Sequence, residues 1–290
     1  MKSIRIILLT FIWIITSQVL AGQDSLYSEY LSGADHLFSD GQYKPAIKEY
    51  QRYLFMSGSE DQKVLLKLAH CLYETGNYDL ALQYFEKVYY LTDDPEIKFK
   101  CRLKEITYNI TTRDYYNALI VLFDVQNNYS DLHPPILNFL FGISYFGLQK
   151  YDQAENYFLR ITADNPPASQ ELEKIFANEK RLHRPNPTTV YILSLVLPGT
   201  GQLLTGNIKD GINSFLLVEG IGFAAVMVAI KYSFMDALLS VLPWYQRYLI
   251  GGSNNAERLA IEKRDRNRNE VYKEILEVLE PWRDEFMVSY

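Results

Sequence analysis

The run Pro198-Gly-Thr-Gly-Gln202, with Gly206 shortly after it, is the first candidate for chemistry in this sequence, because glycine-rich loops can bind phosphate groups. A dinucleotide fingerprint needs glycine at the sixth position, which is Leu204 here. A phosphate-binding loop needs lysine directly after its last glycine, but Asn207 follows Gly206. The run therefore predicts neither kind of nucleotide site, and its glycines instead favour a tight turn with close packing against the next helix.

Metal and acid–base chemistry have equally little support. The four histidines are scattered, and no histidine or cysteine stands at the spacing that metal ligands need. No nucleophile has a base placed to activate it. A net charge of −6 argues against general nucleic-acid binding. We therefore expect a protein that is not an enzyme, with no catalytic residue, metal, cofactor, small-molecule substrate or nucleic-acid partner.

One ionisable residue stands out, because Glu219 is the only charged residue in the 20-residue apolar stretch Gly211–Ile230. A charged group inside a membrane span is costly and is usually paired or functional. Candidate partners are Gln202, Asn213 and Arg247. A structural pairing and a place on an ion or substrate path are both open interpretations.

The apolar stretches around Glu219 predict a membrane hairpin over residues 191–252. Gly211–Ile230 has the length that a helix needs to cross a bilayer. Ser233–Ile250 is the expected second span, with Pro243 inside it and aromatic residues suited to a membrane interface. The segment before Gly206 is broken by Pro198 and glycines, so three spans remain an alternative. A buried hairpin in a soluble domain is the other alternative.

The N-terminus predicts export. Lys2 and Arg5 precede the apolar run Ile6–Ile15, and Ala21 ends a stretch suited to signal cleavage. We therefore expect a signal peptide over residues 1–21, with an uncleaved anchor as the alternative. Export would permit a disulfide between Cys71 and Cys101, but their positions in predicted helices favour two free, buried thiols.

An internal repeat is the strongest pattern in the chain. The sequence Tyr-x-x-Ala occurs four times at spacings of 35, 37 and 36 residues, beginning at Tyr43, Tyr78, Tyr115 and Tyr151. A large apolar or aromatic residue follows each alanine by four positions, and a small or apolar residue precedes each tyrosine by nine. Such a period predicts stacked helix pairs, because one pair cannot bury its own apolar face. A plain helical bundle is the alternative.

This pattern resembles the tetratricopeptide repeat, a helix–turn–helix unit of 34 residues. The resemblance implies a tetratricopeptide-repeat α-solenoid. With the apolar stretches and the charged tail, the expected fold is all-α: this solenoid, then a transmembrane helical hairpin and a C-terminal charged helix. In that family, positions on the first helix of each unit line a concave groove that binds partners. Carried over residue by residue, the partner-binding groove would contain Asp35, Phe38, Lys63, His70, Tyr73, Lys100, Thr107, Phe139 and Phe146.

The fourth unit has the most apolar groove positions, from Ile136 to Phe146, which would suit aliphatic or aromatic anchors of a peptide. The alternative is that the following helix of this chain, Ser169–Leu182, covers them as a capping element. The third unit departs from the family pattern at Ile106 and at Arg113 in its turn, which predicts looser packing there.

The run at Pro198 is similar to a Pro-Gly-x-Gly-Gln membrane hairpin that follows such repeats in some bacterial envelope proteins. The resemblance covers about 20 residues and implies a membrane hairpin and a bacterial source, but no activity. The residues expected to matter in the hairpin are Pro198, Gly199, Gly201, Gln202, Gly206, Gly211, Glu219 and Arg247.

The remaining segments complete the predicted organisation: a repeat domain with its capping helix over 22–182, a linker over 183–190, the hairpin over 191–252 and an amphipathic tail helix over 253–290. Pro185 and Pro187 forbid a continuous helix through the linker. Asn254 is the predicted N-cap of the tail helix, whose charged residues favour a solvated face. The basic residues near the membrane favour a cytoplasmic tail, whereas two spans would return it outside, so the topology stays open.

These features predict a non-enzymatic scaffold, tethered to the membrane through residues 191–250, whose extracytoplasmic repeats bind a protein or peptide. The expected location is the bacterial inner membrane, with the repeats in the periplasm or exterior, and assembly or biogenesis of envelope proteins is the expected setting. The alternative is a small transport or insertion component that acts through the hairpin and Glu219.

Overall fold

The computed structural model describes residues 27–129 and 132–286, and every regular element in these ranges is helical. The predicted signal peptide lies outside the described residues. The helices are α1 (27–39), α2 (Tyr43–Ser57), α3 (Gln62–Glu74), α4 (Tyr78–Leu91), α5 (Pro95–Thr111), α6 (Tyr115–Tyr129), α7 (Pro134–Gly147), α8 (Tyr151–Ile161), α9 (Pro166–Ala177), α10 (Glu179–His183), α11 (Pro187–Val196), α12 (Thr200–Thr205), α13 (Ile208–Lys231), α14 (Phe234–Ser240) and α15 (Leu242–Leu279). A 3₁₀ segment, Glu280–Phe286, follows them. The prediction of an all-α chain is confirmed.

The helices form two compact units. The first contains the described residues up to Tyr157 together with the segment that begins at Asp284, and the second runs from Phe158 to Arg283. The predicted boundary between repeat domain and linker lay further on, near residue 182.

Helices α1 to α8 form four consecutive pairs, as the four Tyr-x-x-Ala motifs predict. The alanine of every motif is fully buried, and so are the large residues four positions later: Tyr50, Phe85, Leu122 and Phe158. A methyl group at the alanine position lets two helices approach closely, and the large residue fills the space beside it. These consecutive helix pairs are typical of a tetratricopeptide-repeat solenoid.

The turn inside each pair has the same hydrogen bonds in all four repeats. The residue two positions before the motif tyrosine has a left-handed backbone, with φ between 61° and 83°, and is Gly41, Gly76, Arg113 or Gln149. In each repeat, its N–H and the next N–H bond to carbonyls at the end of the first helix at 2.7–3.0 Å. This is the Schellman arrangement, in which glycine is the usual residue at the left-handed position.

Glycine at this turn in the third repeat should therefore stabilise the fold. Arg113 has a φ of 63°, which costs an L-residue about 1–2 kcal/mol. Glycine removes that strain but gains about 0.5–1 kcal/mol of unfolded-chain entropy. We expect Arg113→Gly to raise the free energy of opening of α5 and α6 by up to about 1 kcal/mol, as measured by hydrogen exchange on the full chain.

The matched control is Gly76→Ala, which puts a side chain on the same turn of the second repeat, where open space surrounds the added Cβ. It should destabilise α3 and α4 by a similar amount. If both substitutions change exchange in the same direction, the turn geometry does not determine this part of the stability.

Helices α9 and α10 take the place of the predicted capping helix and are separated at Asn178. Their residues Leu172, Phe176 and Leu182 are buried. The guanidinium of Arg181 donates two hydrogen bonds of 2.7 Å to the carboxylate of Glu274 on α15. Arg181 therefore holds α10 on α15.

The predicted linker is bound to α15 rather than free. Asn267 donates a hydrogen bond of 3.1 Å to the carbonyl of Arg184, and the Nε of Arg268 donates one of 3.0 Å to the carbonyl of Leu182. Helix α11 begins at Pro187, inside the predicted linker, where proline fits the first turn of a helix.

Helix α15 continues for 38 residues through Gly251 and Gly252. The predicted N-cap at Asn254 is therefore wrong. Gly252 does not break the helix but lies where α15 meets α13. A Cβ at this position would lie 2.6 Å from the Oγ of Ser214 on α13. The glycine therefore allows close helix contact. The later part of α15 buries Val271, Ile275 and Leu279, as an amphipathic helix does.

One helix among the described residues, Ile208–Lys231, is long and apolar enough to cross a membrane. The predicted second span is divided between α14 and the start of α15, so it is not one continuous helix. Pro243 explains the division: it has no N–H to continue a preceding helix, and it lies in the first turn of α15.

Candidate functional site

The nine predicted groove residues all lie on the first helix of their pair, on α1, α3, α5 or α7. Three of them belong to aromatic clusters that also contain the motif tyrosines Tyr43 and Tyr78. Two others, Asp35 and Thr107, have structural partners.

The first cluster surrounds Phe38. Its ring centroid lies 6.0 Å from that of Tyr43 and 5.5 Å from that of His70, and Tyr43 and His70 are 5.6 Å apart. Burial lowers the pKa of His70, with a smaller contribution from Lys104. The cluster is therefore a largely neutral aromatic surface built from the first repeat and the start of the second.

The second cluster repeats this arrangement one unit later. The ring of Tyr73 lies 5.0 Å from Tyr78, which in turn lies 5.6 Å from Tyr108. Burial raises the pKa of Tyr73 to about 12, so its hydroxyl stays protonated at neutral pH. Tyr78 is 40% exposed and presents an aromatic face to solvent.

Each cluster has a lysine that the sequence analysis missed. The Nζ of Lys67 lies 5.9 Å from the ring centroid of Phe38, and the Nζ of Lys104 lies 4.4 Å from that of Tyr73. The two lysines are 37 residues apart, the spacing of their repeats, so they hold the same position in consecutive units. That recurrence was the signal in the sequence. Stacking of a cation on an aromatic face is favourable.

Asp35 and Thr107 are bound within the fold. One carboxylate oxygen of Asp35 accepts hydrogen bonds of 2.7 Å from the Tyr50 hydroxyl and from Lys67. The hydroxyl of Thr107 donates to the carbonyl of Leu103 on its own helix at 2.7 Å. Both polar groups are therefore satisfied before a partner arrives.

The two lysines among the predicted groove residues differ. Lys63 is exposed, whereas Lys100 is half-buried, with its Nζ 3.9 Å from a carboxylate oxygen of Glu96. Lys63 is therefore the clearer choice for a surface substitution.

Both predicted groove residues of the fourth repeat contact aromatic rings of this chain. The ring of Phe286 stacks on Phe139, with centroids 4.3 Å apart and planes 7° apart. Phe146 packs edge-to-face on Tyr151 at 5.3 Å. The C-terminal 3₁₀ segment therefore covers the ring of Phe139.

Cys71 and Cys101 are free and buried, as predicted. Burial raises the pKa of each thiol to about 12, so neither forms a reactive thiolate at neutral pH. The described residues contain no group of three or more histidine, cysteine or acidic residues that could hold a metal ion.

In the second unit, the glycine-rich run joins four helices. A Cβ on Gly201 would lie 2.8 Å from Ala256 on α15 and 2.8 Å from Val190 on α11. The backbone of Gly199, with a φ of 87°, lies against the backbone of Gly211 on α13. Gly206 ends α12 with a φ of 91° in open space. The run is therefore a packing junction, in line with its predicted role in close helix contact.

Gln202 is the polar centre of this junction and is fully buried. Its side-chain amide donates a hydrogen bond of 2.8 Å to the carbonyl of Gly252. The Oγ of Ser194, which lies 3.4 Å from the other end of that amide, accepts a hydrogen bond of 3.0 Å from the N–H of Gly201. Pro198, four residues before Gln202, is also buried. These contacts explain why the run contains glutamine between small residues.

Glu219 does not pair with any of its three predicted partners. It is exposed on α13 and makes no hydrogen bond or ion pair within the described part of the chain. Gln202 is occupied at the junction, and Arg247 is exposed on α15 with its guanidinium 5.9 Å from the ring centroid of Trp244. The structure therefore shows none of these three pairings within one chain.

Helices α13 and α15 are antiparallel neighbours with an apolar outer surface. Gly222 lies against Tyr245, and Ser214 lies against Gly252. Only 6% of the most apolar 18 residues of α13 is buried. At least 24 large hydrophobic side chains between Tyr191 and Ile250 are exposed. A soluble monomer rarely exposes so large an apolar surface, which indicates contact with a membrane or another protein.

Comparison with known proteins bears on the first unit. No curated protein and no solved structure matches the chain. A model of the tetratricopeptide repeat family matches residues 31–95, which include most of the first two helix pairs. Modules of this family typically bind proteins and do not catalyse reactions. The first two helix pairs thus match the tetratricopeptide repeat, and the two pairs after them have the same packing and turns.

Proposed function

We propose that this protein is a non-enzymatic scaffold that is held at a membrane by the hairpin and binds a protein or peptide through its repeats. The observation that carries the proposal is the continuation of tetratricopeptide repeats, within one chain, into helices whose apolar surface is almost entirely exposed. Repeats of this kind supply a binding surface, and the exposed apolar helices supply the attachment.

The binding surface would be the groove of the first three repeats. The clusters around Phe38 and Tyr73 offer aromatic faces with a lysine beside each. Aromatic pockets with few placed charges suit an extended or helical peptide with apolar anchors. The fourth repeat contributes less, since Phe286 already covers Phe139.

The attachment would be α13 with the antiparallel start of α15, within the predicted limits 191–250. An α-helix satisfies its own backbone hydrogen bonds, which lipid requires. Helix α13 has 24 residues, and about 20 apolar residues cross a bilayer. Together with the predicted signal peptide, this attachment supports the proposal that the repeats face the periplasm or exterior of a bacterial inner membrane, where envelope proteins are assembled.

Transport or insertion through the hairpin is the weaker alternative. A path for charged substrates between the two arms would need acidic or basic side chains where α13 meets α15. The contacts there are made by Gly222, Tyr245, Ser214 and Gly252, whereas Glu219 lies on the outer surface.

The test is crosslinking in cells, then purification of the full chain in mild detergent with mass spectrometry of what accompanies it. Lys63→Glu and Tyr78→Ala change exposed groups of the proposed groove. Each should lower the yield of the same partner about tenfold or more, as expected for a residue that contributes above about 1.4 kcal/mol to binding.

Lys48→Glu is the matched control, because Lys48 is an exposed lysine on α2, the second helix of its pair. It should leave the partner yield unchanged. A chain that purifies alone, or with partners indifferent to Lys63 and Tyr78, would contradict groove binding. If loss of Glu219 instead abolished function in cells, transport through the hairpin would be favoured.

A further inference from the structure

The hairpin has two opposite charges on its outer surface that have no partner of opposite charge within it. Glu219 on α13 and Arg247 on α15 are both exposed. Neither forms an ion pair with any described residue, and the guanidinium of Arg247 lies 5.9 Å from the ring centroid of Trp244. Both residues lie within the segment that the proposed function places in the membrane, so the present inference rests on that proposal.

The two charges lie at the same level along the hairpin. Ser214 on α13 lies against Gly252 on α15, and the two helices run in opposite directions. Glu219 is five residues after Ser214, and Arg247 is five residues before Gly252. At about 1.5 Å per residue, each lies about 7.5 Å from that contact towards the same end of the hairpin.

The geometry explains why they do not pair within one chain. Tyr245 and Gly252 mark the face of α15 that meets α13. Arg247 follows Tyr245 by two residues, which is about 200° around a helix of 3.6 residues per turn. Its side chain therefore leaves α15 on the side away from α13.

Lipid is a poor environment for either group alone. Glu219 lies eight residues, or about 12 Å, from Gly211 at one end of the apolar stretch, too far for its short side chain to reach water. Ionisable residues at such depth almost always pair with one another or with other polar groups. Gly220, next to Glu219, has open space around it, so another helix can approach closely there.

We propose that the hairpins of two copies of this chain associate side by side in the membrane, with Glu219 of each copy beside Arg247 of the other. Two copies inserted in the same direction have equal residues at equal depth. A glutamate and an arginine at one level are therefore self-complementary under a two-fold axis along the membrane normal. A second copy is the occupant that supplies both opposite charges at this level without any further protein.

The test uses full-length chains labelled with donor or acceptor dyes and reconstituted in liposomes, with energy transfer as the measure of association. The E219R chain has two arginines at this level, and the R247E chain has two glutamates. Each variant alone should associate roughly 3- to 30-fold more weakly than the wild type, the range for polar contacts between membrane helices. An equal mixture of E219R and R247E should recover energy transfer between the two kinds of chain, because arginines of one face glutamates of the other. The double variant E219R/R247E should associate with itself as the wild type does.

Because a reversed charge can prevent insertion, E219Q and R247Q provide a second pair that only neutralises the charges, and both should weaken association. Lys48→Glu, on the repeats, should have no effect. Variants that insert but show no recovery on mixing would overturn the paired arrangement, and so would a wild-type chain that stays monomeric. Release of the wild-type chain from its native membranes by alkaline carbonate would instead overturn the membrane attachment itself.

Discussion

Gly199→Ala should destabilise the second unit by about 2–6 kcal/mol, enough to prevent its assembly. Two effects add. The φ of 87° at Gly199 is strained for any residue with a Cβ. The new methyl group would also collide with the backbone carbonyl of Gly211, which cannot move without displacing α13. Hydrogen exchange of the full chain in detergent should show loss of protection in α11 to α15, with α1 to α6 unchanged.

Gly206→Ala separates these two effects. Gly206 has nearly the same backbone, with a φ of 91°, but nothing lies within 4 Å of an added Cβ. It should cost only the strain of a left-handed residue, about 1–2 kcal/mol. Equal losses in the two variants would mean that close contact between Gly199 and Gly211 contributes nothing.

Phe85→Ala should destabilise the repeats by about 3–5 kcal/mol, the usual range for a buried phenylalanine. Phe85 is 1% exposed and fills the space beside Ala81 in the second repeat. Because neighbouring repeats stabilise one another, the loss should spread from α3 and α4 into adjacent pairs. Hydrogen exchange should show this in the repeats and leave α11 to α15 protected, the reverse of the Gly199→Ala result.

Phe55→Ala is the control of the same residue type. Phe55 lies on α2 and is 85% exposed, so its removal should change stability by less than about 0.5 kcal/mol. If Phe85→Ala were as mild as Phe55→Ala, the repeats would not depend on the packing that the motif predicts.

The repeats were predictable because their determinants are local and recur. A fixed period of about 36 residues placed Ala46, Ala81, Ala118 and Ala154 at equivalent positions, and all four are buried. Each unit packs in the same way, so the four Tyr-x-x-Ala motifs together predict the repeat more strongly than any one of them alone. Arg113 replaces the usual glycine in the turn of the third repeat, yet its backbone has the same left-handed conformation.

The arrangement of the second unit was less predictable, because it depends on contacts between distant residues. Gly251 and Gly252 suggest a helix break from the sequence, yet helix α15 passes through them to approach Ser214, 38 residues earlier. The helix propensity of the residues around Gly252 gives no information about a contact with a distant helix. The stacking of Phe286 on Phe139 could not be predicted either, because the two residues are 147 positions apart in the sequence.

The candidate site was predicted in part. Helix position alone selected Phe38, His70 and Tyr73, which form the aromatic clusters. The same rule selected Asp35, whose carboxylate the fold already uses, and omitted Lys67 and Lys104. Periodicity shows which helix a residue belongs to, but not which polar group has found a partner within the fold.

The most direct test of a membrane-held scaffold is the environment of two exposed phenylalanines. Phe223, 68% exposed, lies on α13, and Phe55, 85% exposed, lies on the repeats. Each is replaced by cysteine and spin-labelled in the full chain in liposomes, where Cys71 and Cys101 are buried. A label at 223 should be accessible to oxygen and protected from a water-soluble nickel complex, and a label at 55 should show the reverse. Equal access of nickel to both labels would contradict the attachment through the hairpin.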